Sequence, residues 1–250
     1  MKVIFNADDF GLSRGVNYGV IDSFLHGPVR STTLMAGGAA FDHAVELAKL
    51  HPELGVGAHL QLTASQSVGG VYKTLTDETG RFLPLAEITR RAEEGLLDLT
   101  EVEAEYDAQM TKILASGLKI DHLDSHHHSH HLPGVFDVFL KIADKYQITR
   151  VRMADKSLLQ GKADHIITID RFEDGFYGDQ LSVEVIQSSI ETYGSGTLEF
   201  MCHPAYVDQP LYEASSYALP RMKEYTILTS VELKTLLEEK AVVLSKFTDL

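Results

Sequence analysis

Histidine is concentrated in one short stretch of this chain, and imidazole is the side chain best suited to metal binding and to proton transfer near neutral pH. Six of the twelve histidines fall within Asp121–His131, a run of eleven residues that also contains two aspartates. The run lies inside the sequence, not at a terminus, which argues against an affinity tag. A buried core does not require so many imidazoles, so the run predicts a metal site or a proton-transfer site.

A second candidate group stands near the start of the chain, where an apolar segment is followed by Asp8 and Asp9. Neighbouring side chains of a strand point to opposite faces, but at the end of a strand both can turn toward one site. Adjacent carboxylates repel each other and are tolerated best beside a cation or an arginine. The pair can therefore supply one ligand and one base. A turn or a helix cap is the alternative use of such a pair, and the histidine run makes it the less favoured interpretation.

Composition limits the class of protein. The 250 residues are 44% hydrophobic, which is enough to bury one full-sized core. No apolar run approaches the roughly 18 residues needed to span a bilayer, we find no signal-peptide pattern, and a single cysteine, Cys202, excludes an intramolecular disulfide. We therefore expect a cytoplasmic protein. The net charge of -14 disfavours nucleic acid and anionic membrane surfaces as partners and is compatible with a small neutral or cationic substrate.

Short apolar strands alternate with amphipathic helices along the chain, which predicts βαβ units around a mainly parallel sheet that is closed or distorted into a barrel. The predicted strands are 3–7, 29–35, 54–62, 119–123, 148–153, 165–169, 197–201 and 224–228. The predicted helices are 15–25, 41–50, 101–116, 135–146, 181–193 and 231–239, with Ser13 and Ser230 as N-caps and a capping box from Thr100 to Glu103. We expect one catalytic domain over residues 1–250, in which residues 64–84 form a loop or lid.

The candidate residues follow the predicted strands, and in such folds chemistry takes place at the carboxyl ends of the strands. They are Asp8, Asp9, His59, Asp124, His126, Arg150, Arg152 and His203. A histidine on an apolar strand is more often a packing residue than a ligand, and His59 gains support from Gly57, which would allow close backbone approach around a site. His203 precedes a proline and has the alternative role of a turn residue. We interpret Cys202, beside it, as buried and inert.

Six motifs, in this order along the chain, resemble those of the YdjC-like carbohydrate deacetylases, and most closely the chitooligosaccharide deacetylases. They are Asn6–Gly11, Ser31–Thr33, Gly57–His59, His122–His127, Phe176–Gly178 and Met201–Ala205. The resemblance extends to about Leu228. It implies a distorted α/β barrel related to the polysaccharide deacetylases, with one divalent metal ion held by Asp9, His59 and His126, and with Asp8 as the neighbouring base. These ligand types suit zinc, and they leave magnesium, manganese, cobalt and nickel open.

The function that follows is hydrolysis of the N-acetyl group of an N-acetylglucosamine-containing oligosaccharide, chitobiose-like and with or without a 6-phosphate. In this hypothesis a bound metal, zinc or magnesium, would polarise the acetamide carbonyl and make a water more acidic, and Asp8 would remove the proton of that water. His203 is the candidate acid for the leaving amine, because an amide nitrogen leaves poorly unless protonated. Arg152, or with less support Arg150, keeps Asp8 ionised, and Tyr177 and His128 contact the sugar.

Two other classes of protein remain open at this stage. A metal-dependent hydrolase of another amide or of a phosphoester would use the same ligand types, although the chain lacks a glycine-rich phosphate cradle. A non-catalytic protein that binds sugar or metal would not need Asp8 beside Asp9. We expect the enzyme to form a homodimer, the commonest state of soluble oligomers.

Overall fold

A curled parallel sheet forms the centre of the structure. The structure is a computed structural model that describes residues 1–153, 156–159 and 161–250. Its strands are β1 (Lys2–Phe10), β2 (Ser31–Leu34), β3 (Gly55–Leu60), β4 (Leu123–Ser125), β5 (Arg171–Glu173), β6 (Thr197–Cys202) and β7 (Val243–Leu244). The order across the sheet is β4-β3-β2-β1-β6-β5, β7 also pairs with β1, and all pairings between these strands are parallel. The predicted α/β barrel is confirmed as a distorted half-barrel.

The helices connect consecutive strands. They are α1 (Arg14–His26), α2 (Phe41–Leu50), α3 (Leu85–Glu93), α4 (Leu99–Ala115), α5 (Val135–Lys145), α6 (Val183–Tyr193), α7 (Gln209–Ala214), α8 (Pro220–Leu228) and α9 (Val231–Glu239). The hydroxyls of Ser13 and Ser230 cap α1 and α9 as predicted, each accepting a hydrogen bond from a backbone N–H three residues later. None of the helices in the described part of the chain has both the length and the apolar character that crossing a membrane requires.

Two local predictions about helices are wrong. Residues 224–228 form the second half of α8, not a strand, and Arg221, Glu224 and Leu228 are buried at the spacing of one helical face. The N-cap of α4 is Asp98, whose carboxylate accepts a hydrogen bond from the backbone N–H of Thr100 at 2.9 Å, so the expected capping box starting at Thr100 does not form.

The predicted strands at one edge of the sheet are shorter in the structure than in the sequence pattern. Residues 148–153 and 165–169 contribute only isolated parallel bridges, from Leu123 to Val151 and from Arg150 to Ile167. The strand predicted over 119–123 is displaced toward the carboxyl end, since β4 begins at Leu123. Strand β5 was not predicted, because its three residues are too few to show a period.

The side chains in the interior of the barrel change from apolar to polar along β1. Ile4 packs against Ile169 and Phe247 at the amino-terminal end, and Asn6 and Asp8 follow on the same face of the strand. The barrel is therefore closed by apolar side chains at one end and lined by polar ones at the other.

Gly57 serves this closed end and not the candidate site. A Cβ at Gly57 would lie 2.4 Å from the His122 ring, which stacks on Phe247 with ring centroids 3.8 Å apart. The Nδ1 atom of His122 lies 2.5 Å from Oδ1 of Asp121. The expectation that Gly57 provides space around a metal or substrate is therefore wrong, because the close approach that it permits is to a packing histidine.

Candidate metal centre and active site

The carboxyl ends of the strands open onto a cavity of ≈ 380 Å³, within the range of roughly 300–1,000 Å³ that is usual for ligand pockets. Seven of the predicted site residues line it: Asp8, Asp9, His59, His126, His128, Tyr177 and His203. Arg152 lies behind them, buried and hydrogen-bonded to Asp8. The fold thus brings together side chains that are separated by up to about 200 residues in sequence.

An irregularity in β1 directs Asp8 and Asp9 to the same cavity. The pairing of β1 with β2 shifts register between Ala7 and Phe10, and Asp9 has a left-handed backbone with φ 66°. A regular strand would send the two carboxylates to opposite faces, and a bulge of this kind breaks the alternation. Both carboxylates therefore reach one site, although β1 continues beyond them to Phe10.

Asp9, His59 and His126 form a buried group whose ligand atoms all lie within 4.8 Å of one another. Oδ1 of Asp9 is 3.3 Å from Nε2 of His59 and 2.9 Å from Nδ1 of His126. This oxygen is buried and has no hydrogen-bond partner among the described residues. An unsatisfied buried carboxylate oxygen facing two imidazoles is the arrangement that a cation would satisfy. The group therefore fits one divalent metal ion.

Asp124 and Thr33 orient the imidazole of His59. Its Nδ1 atom lies 2.6 Å from Oδ1 of Asp124 and 3.2 Å from the Thr33 hydroxyl, which leaves Nε2 directed toward Asp9. Carboxylates behind ligating histidines commonly fix the ring in this way. Burial alone would lower the pKa of His59, but the neighbouring carboxylate of Asp124, with smaller contributions from Asp9 and Asp8, outweighs it and raises that pKa to about 10.

A second buried group of potential ligands, Asp8, His59 and Asp124, also lies within 4.8 Å, but Arg152 already occupies it. The Arg152 guanidinium donates to both oxygens of Asp8 at 2.6 and 2.7 Å, lies 2.9 Å from Oδ2 of Asp124 and donates to Oε1 of Glu199 at 2.7 Å. Burial alone would raise the pKa of Asp8, but the Arg152 charge outweighs it and holds the pKa well below its ordinary value.

Of the two candidate arginines, Arg152 is the one beside Asp8. Among the described residues no hydrogen bond or ion pair joins Arg150 to Asp8, and Arg150 instead contributes backbone pairing with Ile167. Residues two apart on one extended segment face the same way, so their spacing alone did not distinguish them.

Glu224 binds the backbone of His203, which lines the same cavity. The backbone N–H of His203 donates to Oε2 of Glu224, and Nδ1 of the ring lies 3.7 Å from Oε1 of the same carboxylate. The Tyr217 hydroxyl donates to Oε1 at 2.6 Å, and its ring stacks on Tyr177 with centroids 3.9 Å apart. Tyr177 is 43% exposed, so this stack presents an aromatic face beside the cavity.

The remaining histidines of the run divide between the cavity and the core. His127 and His128 have left-handed backbones with φ 54° and 51° and line the cavity. Burial lowers the pKa of His127 to about 3 and that of His128 to about 4, so both rings are neutral at physiological pH. His130 lies in the core, with Nδ1 2.5 Å from the Ser125 hydroxyl. The run therefore supplies one member of the candidate metal-binding group and two neutral imidazoles beside it.

Sequence reasoning missed Tyr217, Arg221 and Glu224, which approach the site from α8 and the segment before it. Nη2 of Arg221 donates to Oδ2 of Asp9 at 2.6 Å. Burial alone would raise the pKa of Asp9, but the charges of Arg221 and of its histidine neighbours hold it well below the ordinary value. The three missed residues are spaced like residues on one face of a helix. The incorrect strand prediction over 224–228 concealed this spacing.

The chain that folds into this parallel half-barrel matches a known protein family. The family model for YdjC-like proteins matches residues 2–239, so the chain belongs to that family, and the resemblance seen in the six motifs is confirmed.

Particular relatives are similar along essentially the whole chain. The carbohydrate deacetylases of Listeria welshimeri and Brevibacillus brevis are 44% and 41% identical to it, with complete coverage of both chains. That of Geobacillus stearothermophilus is 40% identical over 98% of this chain and 96% of its own.

Two solved structures share the fold. A candidate cellobiose-phosphate cleavage protein from Enterococcus faecalis has a TM-score of 0.89 and 33% identity, with 99% of this chain and 98% of that chain covered. A lactam utilization protein from Thermus thermophilus has a TM-score of 0.54 and 15% identity, with 98% and 99% covered, and this shows a common fold alone.

Proposed function

We propose that this protein is a metal-dependent carbohydrate deacetylase. Its substrate would be an N-acetylglucosamine-containing oligosaccharide of the chitobiose type, with or without a 6-phosphate, and its products the free amine and acetate. Relatives named carbohydrate deacetylase, 40 to 44% identical along the chain, support the reaction class. The observation that carries the proposal is that one cavity holds three kinds of group: an Asp-His-His set, a carboxylate paired with an arginine, and a histidine held by a glutamate.

Asp9, His59 and His126 would hold one divalent ion, zinc or magnesium. When bound, the ion would polarise the acetamide carbonyl and make a water molecule more acidic. Two imidazoles and one carboxylate are the protein ligands of several catalytic zinc sites, which keep a further position open.

Asp8 would accept the proton of the water that attacks the carbonyl carbon. Arg152 and Asn6 fix its carboxylate, since Asn6 donates to Oδ1 at 2.8 Å, and the pairing with Arg152 keeps it ionised at neutral pH. A base held in this way needs no rearrangement before the transfer.

His203 would donate a proton to the amine nitrogen as the C–N bond breaks. It lines the same cavity as Asp8, its backbone N–H is bound by Glu224, and its ring lies edge-on to Tyr177 and Tyr217. The reaction requires an acid there, because an unprotonated amine anion is a very poor leaving group.

Tyr177 and His128 would contact the sugar. The exposed ring of Tyr177 offers an apolar face with a hydroxyl at its edge, and the neutral imidazole of His128 can hydrogen-bond a sugar hydroxyl. The one-domain organisation with a lid over residues 64–84, the cytoplasmic location and the homodimer remain predictions.

The proposal is tested by acetate release from diacetylchitobiose and its 6-phosphate, using metal-reconstituted protein with an EDTA-treated sample alongside. Asp8→Asn should retain metal and lose roughly 100-fold or more in turnover, whereas Asp9→Asn and His126→Ala should lose metal and activity together. Asp137→Asn, an exposed carboxylate on α5, is the matched control and should behave like wild type. Near-normal turnover of metal-loaded Asp8→Asn would refute the assignment of the base.

Comparison of the two sugars decides whether phosphate matters. The Enterococcus relative, whose name refers to a sugar phosphate, makes the 6-phosphate a necessary arm of the assay. If metal is bound and neither sugar releases acetate, the deacetylation of chitobiose is refuted, and other N-acyl substrates and phosphoesters become the next compounds to assay.

A further inference from the structure

We propose that Arg221 is a positioning residue that restricts Asp9 to a single metal-binding oxygen. The inference rests on the proposed metal site and concerns how the ligand set is held. No motif in the sequence indicated a role for Arg221.

Arg221 commits one oxygen of Asp9. Its Nη2 atom donates to Oδ2 at 2.6 Å, and its Nε atom donates to the backbone carbonyl of Tyr217 at 2.7 Å, which fixes the plane of the guanidinium. Arg221 is 3% exposed and Asp9 is 1% exposed, so water does not compete for the pair. Only Oδ1, which faces His59 and His126, is left for a cation.

Asp8 shows what a different arginine geometry does to the adjacent carboxylate. Arg152 donates to both oxygens of Asp8, in the two-pronged arrangement that guanidinium and carboxylate form readily. Arg221 reaches only one oxygen of Asp9. The two neighbouring aspartates thus differ in how an arginine contacts them. Both oxygens of Asp8 accept from Arg152, whereas Oδ1 of Asp9 is left free of an arginine.

The backbone of Asp9 is also held in an uncommon conformation. A left-handed conformation at φ 66° is uncommon outside glycine and persists where surrounding contacts hold it. Without Arg221, Oδ2 would lose its partner and the carboxylate could rotate about its Cβ–Cγ bond. Both oxygens could then bind the ion and occupy a position that water or substrate requires.

Cobalt is a suitable probe, because the visible absorption of Co²⁺ weakens as its coordination number rises. Arg221→Met should give a Co²⁺ spectrum of lower intensity than wild type, together with a fall in kcat that exceeds any change in KM. Arg221→Lys, which keeps a positively charged donor, should restore most of the intensity. Arg90→Met, which removes an exposed guanidinium of α3 that does not line the cavity, is the matched control and should leave the spectrum unchanged.

The spectrum is the primary measurement and metal affinity is secondary. Loss of the guanidinium would remove a positive charge near the ion and would also loosen a ligand, and these two effects change affinity in opposite directions. A spectrum of Arg221→Met indistinguishable from wild type would overturn the inference. If circular dichroism shows that the methionine variant does not fold, Arg221→Gln, which keeps a neutral donor, serves for the same comparison, with lower intensity expected and an unchanged spectrum overturning the inference.

The same experiment separates this inference from the proposed metal site. His126→Ala should abolish the Co²⁺ spectrum. If wild type gives no spectrum that depends on His126, the metal site itself is refuted. If wild type and His126→Ala behave as expected but Arg221→Met resembles wild type, only the role of Arg221 is refuted.

Discussion

At the scale of single residues, the carboxylates around the cavity are distinguished by the cationic group that each one contacts. Asp8 contacts Arg152, Asp9 contacts Arg221, and Asp124 contacts both His59 and Arg152. Glu199 and Glu224 are also fully buried nearby, and burial raises the pKa of Glu199. The two guanidiniums cannot neutralise all of these charges, so a divalent ion at Asp9 would stabilise the site electrostatically.

The role of His203 is tested by varying the leaving group. We expect His203→Asn to slow acetamide hydrolysis roughly 100-fold but to affect 4-nitrophenyl acetate much less, because nitrophenolate leaves without being protonated. His165→Asn, an exposed histidine paired with Asp144, is the control. Equal losses on both substrates, measured as kcat/KM, would show that His203 does not act as the acid.

The pKa of His59 predicts how pH affects the stability of the metal-free protein. Folding raises this pKa from 6.5 to about 10, so the folded state holds the proton more tightly than the unfolded state does. The resulting stabilisation is complete below pH 6.5 and is lost as pH rises toward 10. A bound metal requires the neutral imidazole of His59, so the stability of the metal-loaded protein should not fall in this way as pH rises. Thermal unfolding of both forms from pH 6.5 to 10 measures the difference, and parallel curves would contradict it.

At the scale of elements, helix α4 anchors the long segment 64–84. The buried carboxylate of Glu105 accepts hydrogen bonds from the backbone N–H groups of Val68 and Gly69 and from the Gln109 side chain. Glu101, one turn earlier, accepts two backbone N–H bonds from Lys73 and Thr74. The segment is therefore held by carboxylates of one helix, and any movement of a lid would have to break these bonds or occur outside them.

We expect Glu105→Ala to lower the free energy of unfolding by about 3 kcal/mol, because it leaves buried donors without an acceptor. Glu103→Ala, on the same helix, removes an ion pair with Lys141 in which the side chains are 36% and 64% exposed, and should cost less than about 1 kcal/mol. Urea unfolding measures both, and limited proteolysis reports whether segment 64–84 loosens. Equal effects of the two substitutions would refute the anchoring role of Glu105.

At the scale of the whole molecule, Arg152 connects distant strands through the interior of the barrel. Its partners lie on β1, β4 and β6, and β4 is at the edge of the sheet farthest from β5. The Arg152 side chain thus joins β1, which carries Asp8, to β4, the strand that precedes the histidine run. The same buried charge cluster positions candidate site residues and joins three strands of the sheet.

Arg152→Met should therefore destabilise the protein globally, by about 3–5 kcal/mol, since it leaves buried carboxylates without their cation. Arg90→Met, which removes exposed ion pairs on α3, should cost far less, because surface ion pairs contribute little to stability. Calorimetry or urea unfolding of metal-free protein measures both effects. A cost for Arg152→Met close to that of Arg90→Met would show that the interior cluster does not contribute to stability.

The alternation of strands and helices, and the concentration of Asp8, Asp9, His59, His126 and His203 at strand ends, could be predicted from the sequence by itself. Both are local patterns, since apolar periodicity is set by burial on one face and strand ends are marked where that periodicity stops.

Only the tertiary structure decided how the side chains meet. It selected Arg152 over Arg150, gave Gly57 a packing role and brought Arg221 and Glu224 from α8 to Asp9 and His203. These contacts join segments up to 212 residues apart, and their partners are set by the curvature of the sheet and by a break in the register of β1, which no local pattern specifies.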